Sequence, residues 1–228
     1  ANFMEEFFDA ETNRPHASYD LGEEEFSTAS YTVGLVHRAL QAASELGERF
    51  EFPDDSLRWN TAAELIAANL SLLYDEETKV LHKGFLLTQD GKHGVDSTLD
   101  VSSLYGFHFF DVPAPEAIDA THRAVEEQLL DSAPIGGVPR YTGDNYFKSD
   151  PQYQGNPWFV TTFWLAQCYI KRGNIDKARE LVEWAEKYAL PSGMLSEQLD
   201  TTTGEPVGVT PLVWSHAEYI RTVLQIGA

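Results

Sequence analysis

The chain has 228 residues, with 16 Lys and Arg against 36 Asp and Glu for a net charge of −20, and 43% of it is hydrophobic. That apolar content supports a packed core and excludes a disordered chain, while the charge excludes partners bound through Lys and Arg, namely nucleic acid and anionic membrane. No run approaches the roughly 18–20 apolar residues of a membrane-spanning helix, and the single cysteine, Cys168, excludes an internal disulfide and any multi-cysteine metal or redox site.

In chain order, the N-terminus has no basic region followed by an apolar run, so no signal peptide is expected. Residues 26–47 have helical periodicity and stop at Gly47. A second helix is expected from Asn60 to Tyr74, where Thr61 and Glu64 have capping-box spacing. Residues 78–95 read as a loop or small hairpin around Gly84 and the Asp90-Gly91 turn signal. Asp96 is the expected cap of the next helix, and Pro115 opens another.

The stretch from Asp131 to Gly155, rich in Gly, Pro, Tyr and Asp, reads as a long functional loop. It ends at Asn156-Pro157, an expected N-cap with proline at the first helical position. The helix that follows is apolar almost all round to Gly173, as in a helix buried on most sides. Asn174 opens an amphipathic helix with one charged face, and Thr210-Pro211 is the expected start of the last helix. About seven helices result, paired as αα-hairpins in a solenoid or toroid, and no linker divides residues 1–228, which predicts one domain.

Chemistry narrows by elimination. The seven histidines lack metal-ligand spacing, and there is no P-loop, dinucleotide motif or GxSxG elbow, so no metal and no cofactor are expected. Cys168, in an apolar helix, reads as a packing residue. Carboxylates remain. Taken alone, Glu23, Glu24 and Glu25 read as a solvated acidic first turn, and Glu197 as an ordinary loop acid. Their loops also carry Tyr19, Arg140, Tyr141, Asn145, Tyr146, Trp158 and Trp214, aromatic and polar groups suited to the apolar faces and dense hydroxyls of sugars. Two carboxylates flanking such a cleft are the minimal equipment for glycoside hydrolysis.

Three segments carry a resemblance. SYDLGEEEFSTASYTVGLVHRALQAA is similar to the general-acid segment of glycoside hydrolase family 15, the glucoamylases and their glucodextranase and trehalase relatives. GGVPRYTGDNYF with the following GNPWFVTTFWLAQCYI resembles that family's sugar-binding loop, and GMLSEQLDTTTGEPVGVTPLVWSHAEYI its catalytic-base segment. The three stand in the family's order. The resemblance implies Glu23 as general acid and Glu197 as general base of an inverting reaction, their carboxyls about 6.5–9.5 Å apart with a water between. It implies sugar contacts through Leu21, Glu24, Arg140, Tyr146, Gln198 and Trp214. The acid must stay protonated, so burial and the field of Glu24 are expected to act on Glu23.

The implied fold is all-α, an (α/α)6 toroid-like array of hairpins, here an incomplete barrel corresponding to the C-terminal portion of the family's domain. Two departures stand out. Gly22 replaces the family's tryptophan before the acid, and the Arg-Asp pair that holds the terminal sugar has no counterpart. The expected activity is exo-acting α-glucoside hydrolysis, weak or absent in this chain alone, with α-1,4, α-1,6 and trehalose linkages all open. The alternative is a non-catalytic carbohydrate-binding or regulatory domain on the same scaffold. A helical-repeat interaction module would need repeats that are not present. Apolar faces such as residues 157–171 are expected to need cover, from self-association or an N-terminal half. The lone cysteine suits a reducing cytoplasm, which is the preferred compartment, and also many secreted bacterial proteins.

Overall fold

The computed structural model describes residues 1–9, 12–87 and 93–227. Among them are eight α-helices: α1 (Asn2–Glu6), α2 (Ser30–Arg49), α3 (Pro53–Ala68), α4 (Val101–Phe109), α5 (Pro115–Gln128), α6 (Phe159–Lys171), α7 (Ile175–Tyr188) and α8 (Val213–Ile226). Seven correspond to the periodic segments of the sequence, and α1 is additional. The chain gathers into two compact units, one of residues 1–98 and 106–122, the other of 99–105 and 123–228. Helices α4 and α5 each contribute residues to both. No described helix is long and apolar enough to cross a membrane.

In the first unit α2 and α3 form a hairpin around Val33, Leu40, Ala63 and Ile66. Small residues let the helices close on each other: Ser44 and Ser56 share a buried 2.9 Å hydrogen bond, and Ser56 Oγ also donates to the Ser44 carbonyl. Helix α3 begins at Pro53, with Asp54 and Asp55 in its first turn, and not near Thr61. Proline suits a position whose N–H is unsatisfied anyway, and acids suit the positive helix end. Thr61 lies inside the helix, its hydroxyl donating to the Leu57 carbonyl at 2.8 Å.

This unit also holds an antiparallel sheet in the order β3 (Ser18–Tyr19), β4 (Phe26–Ala29), β5 (Gly84–Leu87), β6 (His93–Asp96), and a short pair, β1 (Phe8–Asp9) with β2 (Arg14–Pro15). The hairpin expected over 78–95 is β5–β6, and its Asp90-Gly91 turn lies outside the described residues. Residues 26–29, read as the start of a helix, are instead β4: Thr28 pairs with Phe85 and Ala29 with Gly84. A Cβ at Gly84 would fall 2.5 Å from the Thr28 carbonyl oxygen, so β4 and β5 approach this closely only because glycine is there. Asp96 ends β6, and the cap of α4 is Asp100, whose carboxylate accepts from Ser102 N at 2.6 Å.

In the second unit α6 is the central element. Every residue from Phe159 to Tyr169 is buried, and α7 and α8 pack against it. This corrects the expectation that residues 157–171 need outside cover, since this helix is already buried within the chain. Exposed apolar side chains of this unit include Val213, Ile220 and Leu224 on α8 and Phe147, Met194 and Val209 in its loops. Helix α7 buries Ala178, Leu181, Val182 and Ala185, one face at helical spacing, and turns its charges outward. Asn174 caps it, accepting from Lys177 N, and Gly173 ends α6 with φ +77°, as read from sequence. Asn156 is not a helix cap: α6 starts two residues later, after Trp158, and the Asn156 side chain ties loops together. Helix α8 likewise starts at Val213, after Thr210-Pro211 and Leu212.

Candidate active site

Each unit carries one of the two candidate carboxylates. Glu23 stands on the turn joining β3 to β4, where Tyr19 pairs with Phe26. The turn is closed by Asp20 N donating to the Glu25 carbonyl at 2.8 Å and Glu23 N to the Asp20 carbonyl at 3.1 Å. The Asp20 carboxylate accepts from the backbone of Glu24 at 2.8 Å and Glu25 at 3.3 Å. This is an Asx-type turn, in which a short acid replaces backbone partners. Glu23 takes φ +56°, a left-handed conformation costing a non-glycine residue roughly 1–2 kcal/mol.

Leu21, Glu23 and Glu24 are all exposed. The burial expected around Glu23 is therefore absent in this chain: the loop has Gly22 where an aromatic wall would stand, and a short turn offers nothing else to cover it.

The second unit assembles the remaining candidates. Arg140 and Asp144 form a bidentate pair, Nε to Oδ2 at 2.8 Å and Nη2 to Oδ1 at 2.7 Å. The Asp144 side chain is fully buried, and the guanidinium is flanked by the rings of Trp158 at 4.7 Å and of Tyr146 and Tyr141 at 5.1 Å. Arginine's planar fork can bind a carboxylate edge-on and stack on aromatic faces at once. Tyr146 is partly exposed and lies 5.9 Å from Trp158, ring centre to ring centre. Arg140, Tyr146 and Trp158 thus form one polar-aromatic cluster, as the sequence led us to expect. The role of Asp144 as its clamp was not read from sequence, although an acid four residues beyond the arginine was visible.

Glu197 lies in the loop before β7 (Gln198–Leu199), which pairs with β8 (Pro206–Val207). That loop is fixed from several directions. Glu197 N donates to the Val209 carbonyl at 2.9 Å, Leu199 N to Pro157 at 3.0 Å, and Leu212 N to Leu195 at 3.0 Å. From α8, Ser215 Oγ donates to the Ser196 carbonyl at 2.8 Å, and Leu195 N donates to His216 Nε2 at 3.0 Å. In the sequence His216 is one of seven histidines without metal-ligand spacing, and nothing near it marks this bond.

The Glu197 Oε2 atom is shielded from solvent and has no hydrogen-bond partner in the protein. Gly208, with φ +76°, makes room for it: a Cβ there would sit 2.0 Å from Oε2. Gln198 is fully buried and serves the scaffold, its Oε1 accepting from Asn156 Nδ2 at 2.8 Å. Asn156 Oδ1 in turn accepts from Ser149 Oγ at 2.8 Å.

Trp214, at the first turn of α8, is about one-third exposed and meets Trp164 edge-to-face at 5.6 Å. Trp164 stacks on Tyr105 at 4.7 Å. Tyr105 donates its hydroxyl to Gln167 Oε1 at 3.1 Å, and Gln167 donates to the buried Glu218 carboxylate at 2.7 Å. A polar network thus holds the aromatic stack that supports Trp214. Among the described residues no group of three or more His, Cys, Asp or Glu could hold a metal ion.

Residues 10–181 and 174–224 match the model of glycosyl hydrolases family 15. The chain is 27% identical over 224 residues to an uncharacterized glycosyl hydrolase of Methanocaldococcus jannaschii, covering 91% of the chain and 34% of that protein. A trehalase of Mycolicibacterium smegmatis is 27% identical over 206 residues, covering 90% of the chain and 29% of the enzyme. In structure the chain is similar to a bacterial glucoamylase complexed with acarbose, with a TM-score of 0.73 at 21% identity, covering 90% of this chain and 34% of that one. A glucoamylase from Hypocrea jecorina gives a TM-score of 0.74 at 17% identity, covering 93% and 44%. The chain spans about a third of the length of these two curated relatives. The likeness in fold identifies the helical hairpins as those of an (α/α)6 array. With most of its length matched, the chain belongs to glycosyl hydrolase family 15.

Proposed function

We propose that this chain supplies the catalytic carboxylates of an inverting, exo-acting α-glucoside hydrolase, with Glu23 as general acid and Glu197 as general base. The observation that carries the reading is the Glu197 carboxylate: five hydrogen bonds fix its loop, Gly208 clears space beside its shielded Oε2, and the side chain as a whole stays only partly buried. A general base needs a carboxylate oxygen within reach of water and not committed to a protein donor, and a partly buried carboxylate on a fixed loop meets that need. Glu23 would protonate the leaving oxygen, with Leu21 and Glu24 beside it on the same turn. Arg140, Tyr146 and Trp214 would hold hydroxyls and apolar sugar faces, and Gln198 would fix the loop next to the base.

Two observations favour a second reading, a non-catalytic carbohydrate-binding or regulatory domain: Glu23 is exposed, and Gly22 leaves no wall beside it. The two readings part on turnover. Maltose, isomaltose and trehalose are offered to this chain and to any longer form that carries it, with glucose release and sugar binding both measured. Hydrolysis in the longer form, weak or absent in the 228-residue chain, is the expected result. Binding without turnover in every form would replace the hydrolase reading with the second. Robust turnover by the 228 residues alone would overturn the expectation that the substrate pocket is incomplete.

A further inference from the structure

The turn that carries Glu23 is built over a buried ammonium. Lys83, just before β5, is 7% exposed and Asp20 is 9% exposed, values unusual for charged residues unless they are paired. Lys83 Nζ lies 3.6 Å from Asp20 Oδ2 and 3.2 Å from Glu25 Oε2, the latter an ion pair outside hydrogen-bond geometry. The lysine backbone is held on both sides, its N donating to the Asp96 carbonyl at 2.9 Å and its carbonyl accepting from Ser30 N at 2.9 Å.

The Asp20 carboxylate therefore has two tasks. Oδ1 holds the amides of Glu24 and Glu25, and Oδ2 faces Lys83. Four acids, Asp20, Glu23, Glu24 and Glu25, stand within six residues, and Glu23 itself is in a strained left-handed conformation. Strain of that kind persists only where the surroundings over-determine the backbone. Without the cation that both carboxylates approach, Asp20 and Glu25 would stand as like charges, which works against the backbone and Asx bonds that close the turn.

We infer that Lys83 is a positioning residue for the general acid: its ammonium, through Asp20 and Glu25, fixes the backbone that aims Glu23. The inference rests on the reading of Glu23 as the acid. The ion pairs given above run from Lys83 to Asp20 and Glu25, on either side of Glu23 in the turn, so its effect falls on where the acid stands.

The test compares Lys83→Met, Lys83→Gln and Lys83→Arg with Glu23→Gln, by amide hydrogen exchange in this chain and by kinetics in whichever form turns over an α-glucoside. In Lys83→Met the amides of Glu24 and Glu25 should exchange at least about tenfold faster while the α2–α3 core keeps its protection. Turnover should fall about 10- to 100-fold with KM little changed, the scale of a misplacement near 1 Å. Lys83→Arg should restore most of both. If Lys83→Met does not fold, Lys83→Gln, which keeps a polar group against Asp20, carries the same expectation in weaker form.

Unchanged exchange at Glu24 and Glu25 in the folded variants would overturn the inference. So would undiminished turnover in Lys83→Met where Glu23→Gln abolishes it. Full turnover in Glu23→Gln would instead remove the acid assignment, leaving exchange to decide whether Lys83 holds the turn.

Discussion

Glu23 stands in the open on a strained turn, held from beneath by Asp20 and Lys83. Glu197 sits in a loop fixed by five backbone or side-chain bonds, one of its oxygens shut away from solvent. A general acid must meet a leaving group that arrives and departs, and a base must hold one water in place. The difference in construction suits those two tasks. On the proposed assignment, one carboxylate is placed by conformational strain and the other by a fixed loop.

The contrast can be broken by substitution, beginning with the carboxylates. Glu197→Gln and Glu23→Gln should each lower kcat/KM by about 10²- to 10⁴-fold in the active form, the usual span for a general acid or base, with thermal stability little altered. Near-normal rates in either would reject that assignment. Next in size, Asp144→Ala removes the bidentate acceptor that the Arg140 guanidinium grips between Trp158 and Tyr146, which should cost about 3 kcal/mol in urea unfolding. A loss under about 1 kcal/mol would place the pair with ordinary surface salt bridges.

Gly208→Ala acts on the base loop alone. The positive φ should cost about 1 kcal/mol, and the new methyl must displace Glu197, so activity should suffer more than stability. Glu23→Gly should do the reverse, removing the acid while relieving up to about 1 kcal/mol of left-handed strain. A destabilised Glu23→Gly variant would mean that the turn is not strained as its φ indicates.

The smallest expected effect concerns pH and the first unit. Burial, with the neighbouring Arg38 adding to it, holds the His37 imidazole below its ordinary value of 6.5. The folded state keeps His37 neutral where the unfolded chain would bind a proton. Its contribution is therefore fully present above pH 6.5 and is lost as pH falls below that value. Amide exchange in the α2–α3 hairpin should quicken on acidification through that range, and His37→Gln should flatten the change.

Much of this was legible in the sequence because the signals were local. The apolar run of α6, the amphipathic α7, the Gly173-Asn174 boundary and the hairpin at 84–96 all follow from periodicity and turn chemistry. The polar-aromatic character of the Arg140 loop was equally plain. Cap positions were less so. Asp96, Asn156 and Thr61 all have capping chemistry, yet Asp96 closes a strand, Asn156 clamps two loops and Thr61 bonds backward within α3.

What failed was whatever depended on residues distant in sequence. Nothing around Lys83 marks it as the cation beneath Asp20, 63 positions earlier. Gly208 gives no hint of Glu197 at its Cα, and His216 gives none of its bond to Leu195. The burial expected for Glu23 followed from its proposed chemistry and not from its neighbours in the chain, and the structure leaves that side chain exposed.

The central proposal is inverting hydrolysis, with Glu23 as general acid and Glu197 as general base. Proton NMR of the first turnovers on an α-glucoside tests it directly. Glucose should appear as the β-anomer and only later mutarotate, and α-glucose as the initial product would contradict inversion.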